Sequence, residues 1–296
     1  MSAVDGTDRR RVTEAAVDAA VRTARAHGLR VDEPVVLHDL FSLRVHLRPA
    51  PVVARIPTFV TRLRAGTDWI AREIDVVDSL ARGGAPVVAP SAELPPGPHQ
   101  RDGITMSFWT HVRVDPDRTA TAADCAAMLP ALHGALARYP GELPALGASA
   151  VDLDGWLGAL DPVGHAVPEA DLARLHAAAR RLRPVLDVPG PTWRTVHGDA
   201  HAGNLLATAD GLLWNDFEET CRGPAEWDLA TLADDEAVHA HHQPDPALLA
   251  ACRELRTLQV ALCLIHLRAP FADLPGWDGA IRDTLAALPH GPDEPG

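Results

Sequence analysis

The sequence predicts an α+β fold of two lobes, a small β-rich lobe over residues 1–110 and a larger, mainly helical lobe over residues 111–288. Three observations support this. Strand-like apolar runs gather before residue 110, helical periodicity dominates after it, and a polar loop in the second half carries residues suited to chemistry. A chain of 296 residues has ample material for a buried core.

In chain order, Val12–His27 sets alanines and valines at helical spacing and stops at Gly28, which predicts an N-terminal helix. Three β-rich pieces follow: Pro34–His38, Leu43–Leu47 and Val52–Ile56. Thr67-Asp68 is placed to cap a helix running to Ala81, with Trp69, Ile70, Ile74, Val77 and Leu80 on one face. Val87-Val88 and Ile104–Trp109 are the next strands, bracketing a Pro/Gly-rich excursion, and 110–116 reads as a hinge. Helices are then expected over Ala120–Ala137, Glu169–Leu186, Pro224–Glu236, Asp245–Ala269 and Trp277–Leu288. His239, His241 and His242 read as a solvated loop, and 289–296 as a disordered tail.

Composition narrows the function. The chain carries 27 basic and 40 acidic residues, a net charge of −13, which argues against nucleic acid and is compatible with a cationic small molecule. All the basic residues are arginine; there is no lysine. No apolar run approaches the roughly eighteen residues of a membrane span, and the polar amino terminus does not read as a secretory signal. The four scattered cysteines show no metal or redox spacing and read as reduced thiols, so a cytoplasmic protein is expected.

The chemistry is concentrated in His197-Gly198-Asp199-Ala200-His201-Ala202-Gly203-Asn204 and in Trp214-Asn215-Asp216-Phe217-Glu218. Phosphoryl transfer needs a carboxylate to receive the acceptor hydroxyl's proton and oxygen ligands to hold Mg²⁺ on the nucleotide. Asp199 and Asn204 stand at the spacing of the kinase catalytic loop. Leu205-Leu206 and Leu212–Trp214, joined by a turn through Asp210-Gly211, form a hairpin leading to Asp216. On this reading Asp199 is the catalytic base, and Asn204 and Asp216 are the metal ligands. His197 and His201 could instead be a metal pair in a hydrolase, but Gly198 and Gly203 argue against a metal-binding helix and no Glu lies between the histidines.

With Gly223-Pro224-Ala225-Glu226-Trp227-Asp228-Leu229-Ala230, these segments resemble the aminoglycoside phosphotransferase family, a branch of the protein-kinase-like fold. That family carries H-G-D-x-H-x-G-N, then a strand ending I-D-[WF]-E, then G-x-P-x-x-D-L-A. The resemblance implies a bilobal kinase-like fold and transfer of a γ-phosphoryl group from ATP or GTP, with Mg²⁺, to a hydroxyl of a small molecule. An aminoglycoside or other antibiotic is the implied acceptor, with an amino alcohol or sugar as the alternative; Asp234-Asp235-Glu236 would suit a polycation. His197 and Asp228 are implied as framework for the loop. Arg55 stands where the fold places its phosphate-binding lysine, with Glu73 positioned to pair with it. Trp109 would lie behind the nucleobase, and Thr110 and Val112 would offer backbone groups to its edge. The loop meant to cover the nucleotide, His38–Arg44, contains no glycine, and Ser42 is the polar residue expected to substitute. That departure and the missing lysine leave a second reading open, a nucleotide-binding pseudokinase. Asp152, Asp154, Trp156 and Trp277 are candidates for the acceptor pocket.

Overall fold

The computed structural model describes residues 6–64, 66–146, 152–161, 163–187, 190, 193–232 and 235–289. The fold is α+β and divides into two compact units, 1–120 with 205–218 and 121–204 with 219–296.

The first unit is built on a five-stranded antiparallel sheet ordered β1 (Val31–Asp39), β2 (Ser42–Pro49), β3 (Val52–Pro57), β5 (Ile104–Thr110), β4 (His99–Arg101). Side chains alternate across a strand, so the register sorts them onto two faces. Val45, Ala54 and Phe108 are matched across β2, β3 and β5 and are fully buried. They join Leu43, Leu47, Val52 and Ile56 in a core that also takes Ala16, Ala19, Ala20 and Ala24 of α1 (Gly6–Ala26). Small alanine side chains let that helix lie close to the sheet. The opposite face carries a different series, Arg44 opposite Arg55 opposite Ser107, then His46 opposite Val53 opposite Trp109.

Helix α2 (Asp68–Arg82) buries the expected apolar stripe and, within it, Glu73. Thr67 is its N-cap residue but makes no side-chain capping bond. Val87-Val88 forms no strand of its own. Val87 bridges Trp214, Val88 N–H donates to the Trp214 carbonyl at 2.9 Å, and Trp214 N–H donates to Pro86 at 2.8 Å. These bonds, and Asp115 N–H to the Ala207 carbonyl at 2.8 Å, fasten the hairpin of β7 (Leu205–Thr208) and β8 (Gly211–Trp214) to the sheet unit. Sequence order alone had embedded it among the helices.

The second unit contains α3 (Ala122–Leu136), α4 (Leu153–Gly158), α5 (Glu169–Asp187), α6 (Ala225–Leu229), α7 (Asp235–His241), α8 (Pro246–His266) and α9 (Trp277–Ala287), with the short ladder β6 (Arg194–Val196) to β9 (Cys221–Gly223). Thr121 and Asp124 form a reciprocal capping box on α3, and Asp245 caps α8 through Ala247 and Leu248 N–H. The helix expected over 224–236 is instead two short ones, α6 and α7. His239 and His241 lie in α7 and not in a loop, and the His242 ring bonds the Ala126 carbonyl at 2.9 Å. Asp234 and residues 290–296 lie outside the described residues. Among the described residues no helix is long and apolar enough to cross a membrane.

Candidate active site

The polar face of the sheet forms one wall of a cavity of about 450 Å³ within the first unit. Leu37, Val53, Val88, Trp109, Val112 and Leu206 make most of its lining apolar, while Arg44, Arg55 and Glu73 gather polar groups in it. Trp109, Thr110 and Val112 therefore all border the cavity, as does Arg55 with Glu73. Thr110 N–H is already given to the Ala89 carbonyl at 3.0 Å, and His111 N–H to Pro51 at 2.9 Å. The His111 ring stacks on His46, with centroids 3.6 Å apart and planes at 8°. Burial moves both imidazoles below their ordinary pKa, favouring the uncharged rings that stack best. Ser42 does not join the lining; it is buried at the start of β2, opposite Pro57.

Arg55 is the hub of the polar groups. Its Nη1 donates to Glu73, and its Nη2 donates to Glu218 and, at 2.7 Å, to Asp216 Oδ1. Burial opposes the arginine charge, but Asp216, Glu73 and Glu218 outweigh it and raise the pKa above its ordinary value. Burial, with repulsion from Asp216 and Glu218, pushes the Glu73 carboxyl up to about 7 against the pull of Arg55. Glu73 also accepts from Phe217 N–H at 3.1 Å, tying α2 to the backbone after Asp216. Asp216 has φ +67°, the left-handed region that Asp tolerates better than most residues. Its Oδ2 accepts from Arg44 at 2.6 Å.

In the second unit, Asp228 organises the loop that carries Asp199. It is fully buried and accepts from His197 N–H at 2.8 Å, Gly198 N–H at 2.7 Å and the His133 ring at 2.8 Å. Burial alone would raise the Asp228 pKa, but the His133 bond, His197 and Gly198 N–H hold it below the usual carboxylate range. His197 is fully buried, and its Nδ1 accepts from Asp199 N–H at 3.3 Å. Gly198 has φ +91°, and a Cβ there would stand 2.1 Å from the Glu219 carbonyl oxygen, so only glycine fits.

Asp199 faces two cationic or donor groups. His201 Nδ1 accepts from Gly203 N–H at 3.0 Å, which leaves Nε2 to carry the proton toward Asp199 Oδ2, 3.4 Å away. Arg256 on α8 reaches Asp199 Oδ1 at 3.4 Å and the Gly198 carbonyl at 2.5 Å, and stacks 3.8 Å from the Trp227 ring centroid. Burial would raise the Asp199 pKa, but His201 and Arg256 bring it well below the usual range. Asn204 turns its amide nitrogen to Asp199, donating to the backbone carbonyl at 3.0 Å and to Oδ2 at 3.1 Å.

The four acceptor-pocket candidates have structural partners. Asp152 caps α4 through Gly155 N–H, Asp154 pairs with Arg183, Trp156 is buried, and Trp277 stacks on Phe271. Three residues of the arrangement are not among those expected from the sequence: Arg44, His133 and Arg256. Arg44 could have been found from strand alternation, which sets it on the face of Arg55. His133 could have been found as a lone polar residue beside Leu129, Leu132 and Leu136. Arg256 could not, since only tertiary packing brings it to residue 199.

A family model described as the phosphotransferase enzyme family matches residues 42–266, from the start of β2 to the end of α8. The chain belongs to the phosphotransferase enzyme family. It is thus a small-molecule phosphotransferase with the kinase-like fold. Solved structures agree on the fold. A choline/ethanolamine kinase family protein from Mesorhizobium loti is 16% identical, with a TM-score of 0.60 over 95% of this chain and 96% of that one. The choline kinase LicA from Streptococcus pneumoniae is 13% identical, with a TM-score of 0.63 over 92% and 98%. The amicoumacin kinase hAmiN, in complex with AMP-PNP, Ca²⁺ and Ami, is 15% identical, with a TM-score of 0.64 over 93% and 94%. No curated protein matches the sequence significantly.

The residues present fit what a phosphotransferase of this family would hold. An apolar slot bordered by Trp109 and Val53 suits a flat heteroaromatic base, and the guanidinium groups beyond it suit phosphates. Asp216 and Asn204 offer carboxylate and amide oxygens, the hard donors that Mg²⁺ prefers. For the alternative of a histidine metal site, His197 is already engaged in the loop, its Nδ1 accepting from Asp199 N–H at 3.3 Å.

Proposed function

We propose that the protein transfers the γ-phosphoryl group of ATP or GTP to a hydroxyl of an amine-bearing small molecule, an aminoglycoside or another antibiotic. The observation that carries this is the cavity of the first unit, an apolar slot that also holds an arginine–carboxylate cluster. The base would lie against Val53 and Trp109 with the Thr110 carbonyl and Val112 at its edge, since Thr110 N–H is committed to Ala89. The phosphates would point toward the strand face that carries Arg44 and Arg55, with Asp216 and Asn204 as the proposed ligands of Mg²⁺. When bound, Mg²⁺ neutralises phosphate charge that would otherwise repel the incoming hydroxyl.

Asp199 would accept a hydrogen bond from the acceptor hydroxyl and aim its oxygen at the γ-phosphorus. Its lowered pKa means that it remains ionised and orients the hydroxyl, while full proton removal can follow late in a loose transition state. His201 and Arg256 hold the carboxylate, and Asp228 with His133 holds the loop beneath it. The net charge of −13 favours a cationic acceptor in water.

A second acceptor class is favoured by the choline kinases among the structural neighbours. One experiment separates the two: incubation with nucleotide triphosphate and Mg²⁺ against a panel of aminoglycosides, other hydroxylated antibiotics and amino alcohols. A gain of one phosphoryl group on an antibiotic alone supports the first class. Phosphorylation of amino alcohols alone would replace it.

A further inference from the structure

We propose that Arg44, and not Arg55, is the cation that receives the nucleotide's phosphates, and that Arg55 is the fixed post around which the site is assembled. The inference rests on the nucleotide reading of the cavity given above. Both arginines point from the same face of the sheet, because Arg44 on β2 is the register partner of Arg55 on β3. Two guanidinium groups set directly across from one another repel. Asp216 resolves this by pairing with both, Oδ1 to Arg55 at 2.7 Å and Oδ2 to Arg44 at 2.6 Å.

The two then differ in what they have left to give. Arg55 has a side chain 7% exposed and is ringed by Glu73, Asp216 and Glu218. Its Nη atoms are engaged by those carboxylates, and its Nε is buried without a hydrogen-bond partner. A phosphate brought to it would be a fourth anion beside three carboxylates. Arg44 has a side chain 26% exposed, borders the cavity, and among the described residues pairs with Asp216. It can exchange that carboxylate oxygen for a phosphate oxygen with no net loss of charge pairing. The planar fork of a guanidinium fits either partner.

The turn between β1 and β2 points the same way. The Phe41 carbonyl at its tip accepts from Phe59 N–H at 3.0 Å, Val60 N–H at 3.1 Å and Thr58 Oγ1 at 3.3 Å. A turn tied down this way and lacking glycine is ill suited to fold its backbone N–H groups over phosphates. A charged side chain on the strand just after the turn supplies the missing donor. Moving Arg44 onto phosphate would also release Asp216 Oδ2, coupling phosphate binding to the availability of a metal ligand.

The test is calorimetric titration of the full chain with adenosine, ADP and ATP, and with guanosine, GDP and GTP, each in EDTA and in Mg²⁺. In the wild type the triphosphate binds more tightly than the nucleoside. Arg44→Gln should weaken the triphosphate by about tenfold or more and the nucleoside by less than about twofold, and Arg44→Lys should recover part of the loss. Arg55→Gln should lower the melting temperature more than Arg44→Gln does. Unchanged triphosphate affinity in Arg44→Gln, with and without Mg²⁺, overturns the assignment while leaving the nucleotide reading intact. A wild type that binds neither nucleoside nor triphosphate overturns both.

Discussion

Asp199 is held from two sides, by His201 and by Arg256, and each contact lowers its affinity for a proton. On the proposed reading, a carboxylate so placed would act by orientation more than by basicity. Asp199→Asn is therefore expected to lower kcat by a factor of roughly 10² or more while the KM for nucleotide changes little. Steady-state kinetics with the true acceptor checks this, and a near-native kcat would remove Asp199 from the reaction. The residue scale also accounts for what the sequence disclosed. Asp199, Asn204 and Asp216 were proposed from dense local motifs, and the structure shows Asn204 donating to Asp199 and Asp216 pairing with Arg55. Arg55 and Glu73 could be paired from their places on strand and helix, and the structure joins them by an ion pair. Arg256 could not, because its neighbours Asp199 and Gly198 lie more than fifty positions away in sequence. Ser42 was named because a polar residue was needed near the turn; alternation sets it on the face of Arg44, yet it is buried at the start of β2 opposite Pro57 and does not line the cavity.

At the scale of elements, the loop that carries Asp199 is suspended from Asp228 on α6. Asp228→Ala leaves His197 N–H and Gly198 N–H without their acceptor, at about 1–3 kcal/mol each. A loss of about 2–5 kcal/mol is expected in urea unfolding, and one below ~0.5 kcal/mol would show that the loop is held otherwise. The sign of the pH dependence follows from the lowered pKa. The unfolded chain binds the proton more readily than the folded one, so the stabilisation is complete above the usual carboxylate range and is lost as pH falls below it toward the lowered folded value. Melting temperatures of wild type and Asp228→Asn should therefore converge as pH drops from about 5 toward 3. Gly198→Ala is expected to be worse tolerated than any surface glycine change, since its Cβ would meet backbone at 2.1 Å. Long elements were legible: α1, α2, α3, α5, α8 and α9 follow apolar periodicity and capping signals. The short ones were not. β4 lies beside a Pro/Gly-rich stretch, β6 and β9 have three residues each, and α6 and α7 were read as one helix from their joined polar and apolar residues. Such pieces are specified by what they pack against, and a local pattern does not record that.

For the whole molecule, the acidic surface sets the expected substrate preference. With a net charge of −13, kcat/KM for a polycationic acceptor should fall as salt is raised, while that for a neutral acceptor should hardly move. Equal salt dependence would detach the charge from substrate choice. The 205–218 hairpin is grouped with the sheet unit. The proposed metal ligand Asp216 belongs to the sheet unit, and the proposed base Asp199 to the helical one. The central claim is phosphoryl transfer to a small hydroxylated molecule, with Asp199 aiming the acceptor. Mass spectrometry of acceptors incubated with nucleotide triphosphate and Mg²⁺ tests it most directly, run in parallel with wild type and Asp199→Asn. The account predicts one added phosphoryl group on the acceptor, an equal yield of nucleotide diphosphate, and loss of both in the variant. Equal product from the two proteins, or bound nucleotide with no acceptor modified across the panel, would contradict it.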